Sequence, residues 1–164
     1  MPDSHPSAFD SAKFRQVLGH FPTGVVVVTA KDDDGPVGLA IGSFASVSLD
    51  PPLVGFFPGS QSSSWPRIHQ VGSFCVNILS DDQEDVCRVF AGKDPDKFAT
   101  IGWKPGRTGA PIINDVTAHI ECELESVTPA GDHAFVVGRV IDLEVNHEGS
   151  PLIFYRGGYS SLSV

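Results

Sequence analysis

Apolar residues recur along this chain with two different periods. In "FDSAKFRQVLGHF", Phe14, Val17, Leu18 and Phe21 fall at helical spacing, with Asp10 or Ser11 placed to cap the start, so the stretch predicts a helix. "TGVVVVTAK" (residues 23–31) is β-branched and bounded by turn residues, which predicts a strand. "DDDG" (32–35) then turns the chain into a hairpin partner over residues 36–42. "PPLVGFFP" reads as a short buried strand between prolines. "SSSWPRIHQ" reads as the opening of a short helix, because serines can cap it and Pro66 fits only the first turn. "SFCVNIL" (73–79) predicts a strand. "SDDQEDVCRVFAGK" predicts a helix, with Ser80 and Gln83 spaced as a capping box and Val86, Val89 and Phe90 on one face.

Residues 91–114 are rich in Gly, Pro and charge and predict a long, partly irregular connection. Beyond them "AHIECELESV" alternates, Ile120, Cys122 and Leu124 to one side and Glu121, Glu123 and Glu125 to the other, as in a half-exposed antiparallel strand. "TPAGDH" turns the chain. "AFVVGRVIDLEV" predicts a second long strand with Phe135, Val137, Ile141, Leu143 and Val145 in register, and "PLIFYRGGYSSL" a last short strand with a glycine turn. Strands dominate, with helices at the start and in the middle and no βαβ alternation. The expected fold is mainly β, an antiparallel barrel with a few covering helices. Residues 1–8 read as a flexible N-terminal tail and 9–164 as one domain.

Composition narrows the partners. Of 164 residues 41% are hydrophobic and 19% charged, an ordinary globular balance. The formal net charge of -9 argues against nucleic acid or an anionic membrane, both of which call for clustered Lys and Arg. No apolar run reaches the length of a membrane span, and "MPDSHPSAFDSAKF" lacks the order of a signal peptide, so a cytoplasmic location is expected. Cys75, Cys87 and Cys122 are odd in number and form no C-x-x-C, which favours buried thiols over a disulfide or a metal site.

Familiar catalytic patterns are missing. The sequence has no G-x-G-x-x-G after a strand, no G-x-x-x-x-G-K-[ST], no G-x-S-x-G and no H-E-x-x-H, and its six histidines have no metal-ligand spacing. What it does have is an apolar segment, "PVGLAIGSFASVSLDPPLVGFF", whose Gly38, Ala40, Gly42, Ser43, Ala45, Ser46 and Ser48 carry almost no side chain. Such residues leave backbone groups open to a flat ligand, and Ser60, Ser62, Ser63, Ser64 and Arg67 follow at a helix start, where anions bind. Two readings stand on these residues alone: a ring with a phosphate, as in a flavin mononucleotide, or a crowded strand crossing beside a Ser-rich cap.

"FPTGVVVVTA", "PVGLAIGSFASVSLDPPLVGFF", "SSSWPRI", "FCVNIL", "FAGKDPDKF", "GDH" and "YRGGY" occur here in one order. Together, from about Phe14 to Leu162, they resemble the flavin reductase-like family of FMN-binding split barrels, the small reductase components of two-component flavin monooxygenases. The resemblance implies a Greek-key split barrel. It places Gly38, Leu39, Ala40, Ile41, Gly42 and Ser43, with Ser46 nearby, along the flavin ring. Many relatives carry Asn or Ser where Gly42 stands, so here that side-chain contact is missing and a backbone contact is left. Phe56, Phe57, Ser60, Ser62, Ser63 and Ser64 would surround the ribityl chain and phosphate, and Lys93 and Lys97 would neutralise the phosphate or an FAD pyrophosphate. His133 of "GDH" and Arg156, Gly157, Gly158 and Tyr159 of "YRGGY" would flank the nicotinamide, although the second group also reads as a plain C-terminal turn.

The activity so implied is hydride transfer from NADH, or NADPH, to FMN or FAD, with no protein nucleophile and no metal. Reduced flavin would pass to a separate oxygenase, and the chain would pair as a homodimer. A flavin-binding carrier or redox-sensing module without turnover is the alternative.

Overall fold

The computed structural model describes residues 9–162, so the expected tail at 1–8 lies outside the described residues. Helix α1 (Ser11–Leu18) is capped by Asp10, whose carboxylate accepts the Lys13 N–H at 2.7 Å. Strands β1 (Thr23–Gly24), β2 (Val26–Asp32), β3 (Gly35–Ile41), β4 (Ala45–Leu49) and β5 (Pro52–Phe56) follow, then α2 (Trp65–Val71), β6 (Ser73–Ile78) and α3 (Glu84–Ala91). The second half adds β7 (Trp103–Pro105), β8 (Pro111–Ile113), the long β9 (Ala118–Ala130) and β10 (His133–Val145), and β11 (Leu152–Tyr155) and β12 (Gly158–Ser161).

A seven-stranded antiparallel sheet runs in the order β3-β2-β6-β9-β10-β5-β4. Strands β3 and β4 are consecutive in the chain yet lie at opposite edges of this order. Only residues 42–44 join them, a span of roughly 10–15 Å at full extension. The sheet must therefore curl until its edges nearly meet without pairing, which is the split barrel that the resemblance implied. A second sheet, β1-β11-β12, and the β7-β8 hairpin lie outside it.

The apolar runs of β2 and β6 are buried on both faces. Val26, Val28, Val76 and Phe74 join Phe56, Trp65, Ile68 and Val136 inside the barrel, where Phe56 meets Trp65 and Phe74 edge-on at 5.8 and 5.4 Å. Val27, Cys75, Leu79, Cys87 and Phe90 join Ile112, Ile113 and Val116 in a second core, under α3 and β8.

Several sequence expectations change. Glu121 does not face solvent: it is 1% exposed and accepts the Arg107 and Thr108 N–H groups at 3.0 and 2.9 Å and the Thr108 hydroxyl at 2.9 Å. Bulges break the single register expected of β10, so Val136 and Val137 are both buried while Leu143 and Val145 are 62% and 63% exposed. Half of the capping box forms. Gln83 Oε1 accepts the Ser80 N–H at 3.0 Å, but the Ser80 hydroxyl donates to Asp82 and α3 starts at Glu84. Its inward face is Val86, Cys87 and Phe90, with Val89 half-buried. The 91–114 connection contains the β7-β8 hairpin.

Gly38 is buried and answers to packing: a Cβ there would sit 2.9 Å from Phe90 Cε1 and 3.3 Å from Thr29 Cγ2. The crowded-crossing reading therefore accounts for this glycine, because α3 needs its space. Asn77 ties the two cores together. Its amide donates to the Val27 carbonyl and the Thr29 hydroxyl, both at 3.1 Å, and its carbonyl accepts the Ile113 N–H at 2.8 Å.

Two stability predictions follow from these contacts, both read from urea unfolding. Asn77→Leu leaves the Ile113 N–H unpaired and lowers stability by about 1–3 kcal/mol. Gly38→Ala overpacks the Phe90 ring and costs about 1–3 kcal/mol; an unchanged midpoint would mean that α3 does not dictate this glycine.

Candidate functional site

The free edge of β3, the loop entering α2 and the C-terminal end of α3 enclose a cavity of about 380 Å³. Leu39 and Ala40 line one side, Ser62, Ser63 and Ser64 a second, and Lys93 and Lys97 a third. A neighbouring cavity of about 220 Å³ shares Ser63, Ser64 and Lys97 and continues past Gly38 to Arg67 and Phe98. Local structure explains the serine wall. Pro66 fits the first turn of α2, the Ser62 hydroxyl accepts the Trp65 N–H at 3.1 Å, and Gly72 at φ 79° ends the helix. Lys97 is anchored through its amine, which donates to the Phe90 carbonyl at 3.0 Å, and burial pushes that amine's pKa down.

Arg67 departs from the sequence reading. Its guanidinium grips Asp32 with two bonds of 2.7 Å and donates to the Gly35 carbonyl at 3.2 Å. That pairing holds the Asp32 carboxyl down at about 2 and raises Arg67. The arginine thus fastens α2 to the β2-β3 turn, leaving Lys93 and Lys97 as the unpaired cations of the groove among the described residues.

A clasp lies at the split itself. The Ser43 hydroxyl accepts the Phe57 N–H at 3.1 Å and donates to the Phe57 carbonyl at 3.3 Å, binding the end of β3 to the end of β5. Phe57 is half-exposed and stacks on Phe135 at 4.8 Å. Phe56, expected beside a ligand, is instead fully buried in the barrel. Leu39 and Ile41 likewise belong to the barrel core, so this stretch offers backbone rather than side chains to the outside. Gly42 and Ser43 are exposed beyond it, and Ser46 is exposed on edge strand β4.

The β9-β10 turn zips onto the loop after β5. The Ser60 N–H donates to the Asp132 carbonyl at 2.9 Å and the Ala134 N–H to the Pro58 carbonyl at 3.1 Å. Gly131, at φ 64°, supplies the turn. His133 therefore rests on Gly59, where a Cβ would lie 3.5 Å from its Nε2. Its Nδ1 meets the Asp132 carboxylate at 2.7 Å, a contact that lowers the Asp132 pKa.

Arg156 and Gly157, at φ 51° and 77°, form the two-residue turn between β11 and β12, and the Arg156 N–H donates to the Gly19 carbonyl at 2.9 Å. Gly158 begins β12. Tyr159, grouped with them in sequence, turns toward α3. Its hydroxyl meets Cys87 Sγ at 3.3 Å, Arg88 lies 4.9 Å over its ring, and the Cys87 contact and burial raise its pKa to about 12. It docks the hairpin rather than lining an open site. Sequence reasoning passed over Thr23. Its Oγ1 is the one buried side-chain polar atom without a partner among the described residues, and a Cβ on Gly42 would lie 3.2 Å from it. A two-residue strand carries no periodicity to flag it. Open backbone at a strand edge, three clustered serines and two lysines fit the ring edge and phosphate of a flavin.

The relationship to known proteins agrees with this geometry. Residues 18–163 match the family model described as a flavin reductase like domain. A flavin reductase of Pseudomonas putida is 54% identical over 159 residues, covering 96% of this chain and 94% of the relative. The crystal structure of a nitrilotriacetate monooxygenase component B from Mycobacterium thermoresistibile superposes with a TM-score of 0.90 at 46% identity, over 93% of this chain and 86% of that one. The Streptomyces globisporus C-1027 NADH:FAD oxidoreductase SgcE6, solved with NAD and FAD fragments, also gives 0.90, at 35% identity over 94% of this chain and 93% of that one. By sequence and fold alike, the chain belongs to the flavin reductase-like family.

Proposed function

We propose that this protein is an NAD(P)H-dependent flavin reductase that uses FMN or FAD and hands reduced flavin to a separate monooxygenase. The observation that carries the reading is the convergence of the β3 edge with Ser62, Ser63, Ser64, Lys93 and Lys97 around one groove. A bound flavin supplies the redox chemistry, accepting hydride from the nicotinamide without a protein nucleophile. The chain's own part is to bind and align. Backbone groups from Gly38 to Ser43 meet the ring edge, with Gly42 and Ser43 nearest the split. The serines and Lys93 and Lys97 hold the phosphate end, and backbone N–H groups balance the negative charge that reduction adds to the ring. Phe57 and Ser60 close the near side, and His133, set on Gly59, faces the nicotinamide together with Arg156, Gly157 and Gly158. The groove is open, which suits a flavin that enters and leaves as a substrate.

The same reading includes a homodimer. Edge strand β4 exposes Val47 and 92% of Leu49, and by register the exposed Leu143 of β10 lies at the same end of the sheet. Apolar surface so placed is an association surface.

The test of activity is NADH consumption by purified protein with and without added FMN or FAD. Rapid oxidation that depends on flavin is expected, and His133→Ala should raise KM for NADH by about tenfold while leaving flavin affinity in place. Retained flavin with no NADH oxidation would make the chain a carrier or sensor instead. For the dimer, Leu49→Asp should convert the species seen by light scattering to a monomer; a monomeric parent protein would end that part of the proposal.

A further inference from the structure

The Thr23 hydroxyl is buried and, among the described residues, is the one buried side-chain polar group left without a hydrogen-bond partner. An unpaired buried hydroxyl destabilises a fold, so its surroundings call for an account. Backbone pairing holds the residue in place, because Thr23 lies opposite Phe154 in the β1-β11 ladder. Its side chain points at Gly42. A Cβ on Gly42 would lie 3.2 Å from Thr23 Oγ1 and, its chain neighbours aside, would meet no other atom within 4 Å. Gly42 is itself exposed, so the space over the hydroxyl opens outward. Both residues line a cavity of about 460 Å³ whose wall includes Phe14, Leu18, Phe21 and Phe154, side chains that offer the hydroxyl no hydrogen bond.

Other polar groups at this end of β3 are already committed. The Ser43 hydroxyl accepts the Phe57 N–H and donates to the Phe57 carbonyl. Thr23 therefore brings the uncommitted hydroxyl, and Gly42 brings the room to reach it. A flat ring laid along the backbone of residues 38–43 would have its edge over Gly42, in the space a side chain there would fill. Chemistry favours a hydroxyl at that edge. A backbone N–H can only donate, whereas a hydroxyl donates or accepts. Reduction of a flavin turns a ring nitrogen from acceptor into N–H donor, and one hydroxyl can serve both forms.

We propose that the Thr23 hydroxyl hydrogen-bonds the polar edge of the flavin ring where it passes Gly42. The proposal rests on the flavin reductase reading, which sets the ring along residues 38–43, and it adds a binding residue from β1, outside every segment already assigned to flavin.

The test is calorimetric titration of FMN into flavin-free protein, with thermal unfolding of the same samples. Thr23→Val keeps the side chain's shape and removes the hydroxyl. It should weaken FMN by about three- to tenfold, the loss of one hydrogen bond, and leave the unfolding midpoint of the flavin-free protein unchanged or raised, because the hydroxyl has no partner there to lose. Thr23→Ser should recover the affinity. Gly42→Ala, which fills the space over the hydroxyl, should weaken FMN as well. The loss in Thr23→Val should be the same for riboflavin, which has the ring without the phosphate. Parent affinity in Thr23→Val, or a loss confined to FMN, would overturn the proposal. So would a lowered midpoint in flavin-free Thr23→Val, which would make the hydroxyl a support of the fold. Failure of the underlying reading would appear separately, as parent protein that binds neither FMN nor FAD.

Discussion

The pairing of β9 with β10 is the constraint on which the rest of the molecule depends. Thirteen residues on each side form one antiparallel ladder that β6 joins at one edge and β5 at the other. Glu125 on β9 and Ile141 on β10 are extra residues that interrupt its register. Such bulges bend a ribbon and increase its twist, which a sheet needs in order to curl into a barrel. The same hairpin ends in the turn that places His133 on Gly59, so one ladder shapes the barrel and positions a candidate site residue.

Curling leaves β3 and β4 facing without joining them, and the candidate groove lies along the β3 side of that discontinuity. An unpaired strand edge is ordinarily a liability, because its N–H and C=O groups invite another chain. Here loops and helices cover part of it, and the remainder offers polar backbone to a flat ligand. The Ser43–Phe57 clasp keeps the opening fixed, and the Arg67–Asp32 pair keeps the serine wall in place. The candidate groove thus combines the β3 backbone edge with serine and lysine side chains, and the Ser43 and Arg67 contacts fix its walls.

Much of this was legible in the sequence because strands buried on both faces and cleanly bounded helices leave strong patterns. Strand β2, helix α3 and the β9-β10 hairpin are of that kind. Glu121 misled because alternation shows which side of a strand a residue lies on, not whether a loop folds over that side; the 106–110 turn does so and supplies the donors. Leu143 and Val145 misled because a bulge resets the alternation beyond it. The small residues at 38–43 proved mixed in cause: Gly38 is buried and yields space to Phe90, whereas Gly42 is exposed and a Cβ there would meet Thr23 Oγ1 at 3.2 Å. Sequence alone cannot separate a glycine emptied for a neighbouring ring from one emptied for a ligand. Tyr159 sits beside Gly158 in sequence and faces away from it in space, since successive strand residues point to opposite sides.

The central claim is that flavin lies along the β3 edge and the serine wall, and amide hydrogen exchange with and without FMN tests it most directly. The account predicts slowed exchange over residues 39–43 and 60–64, with the larger polar cavity between residues 112–116 and 144–147 unaffected. Protection of that second cavity, with residues 39–43 and 60–64 exchanging as freely as before, would contradict it.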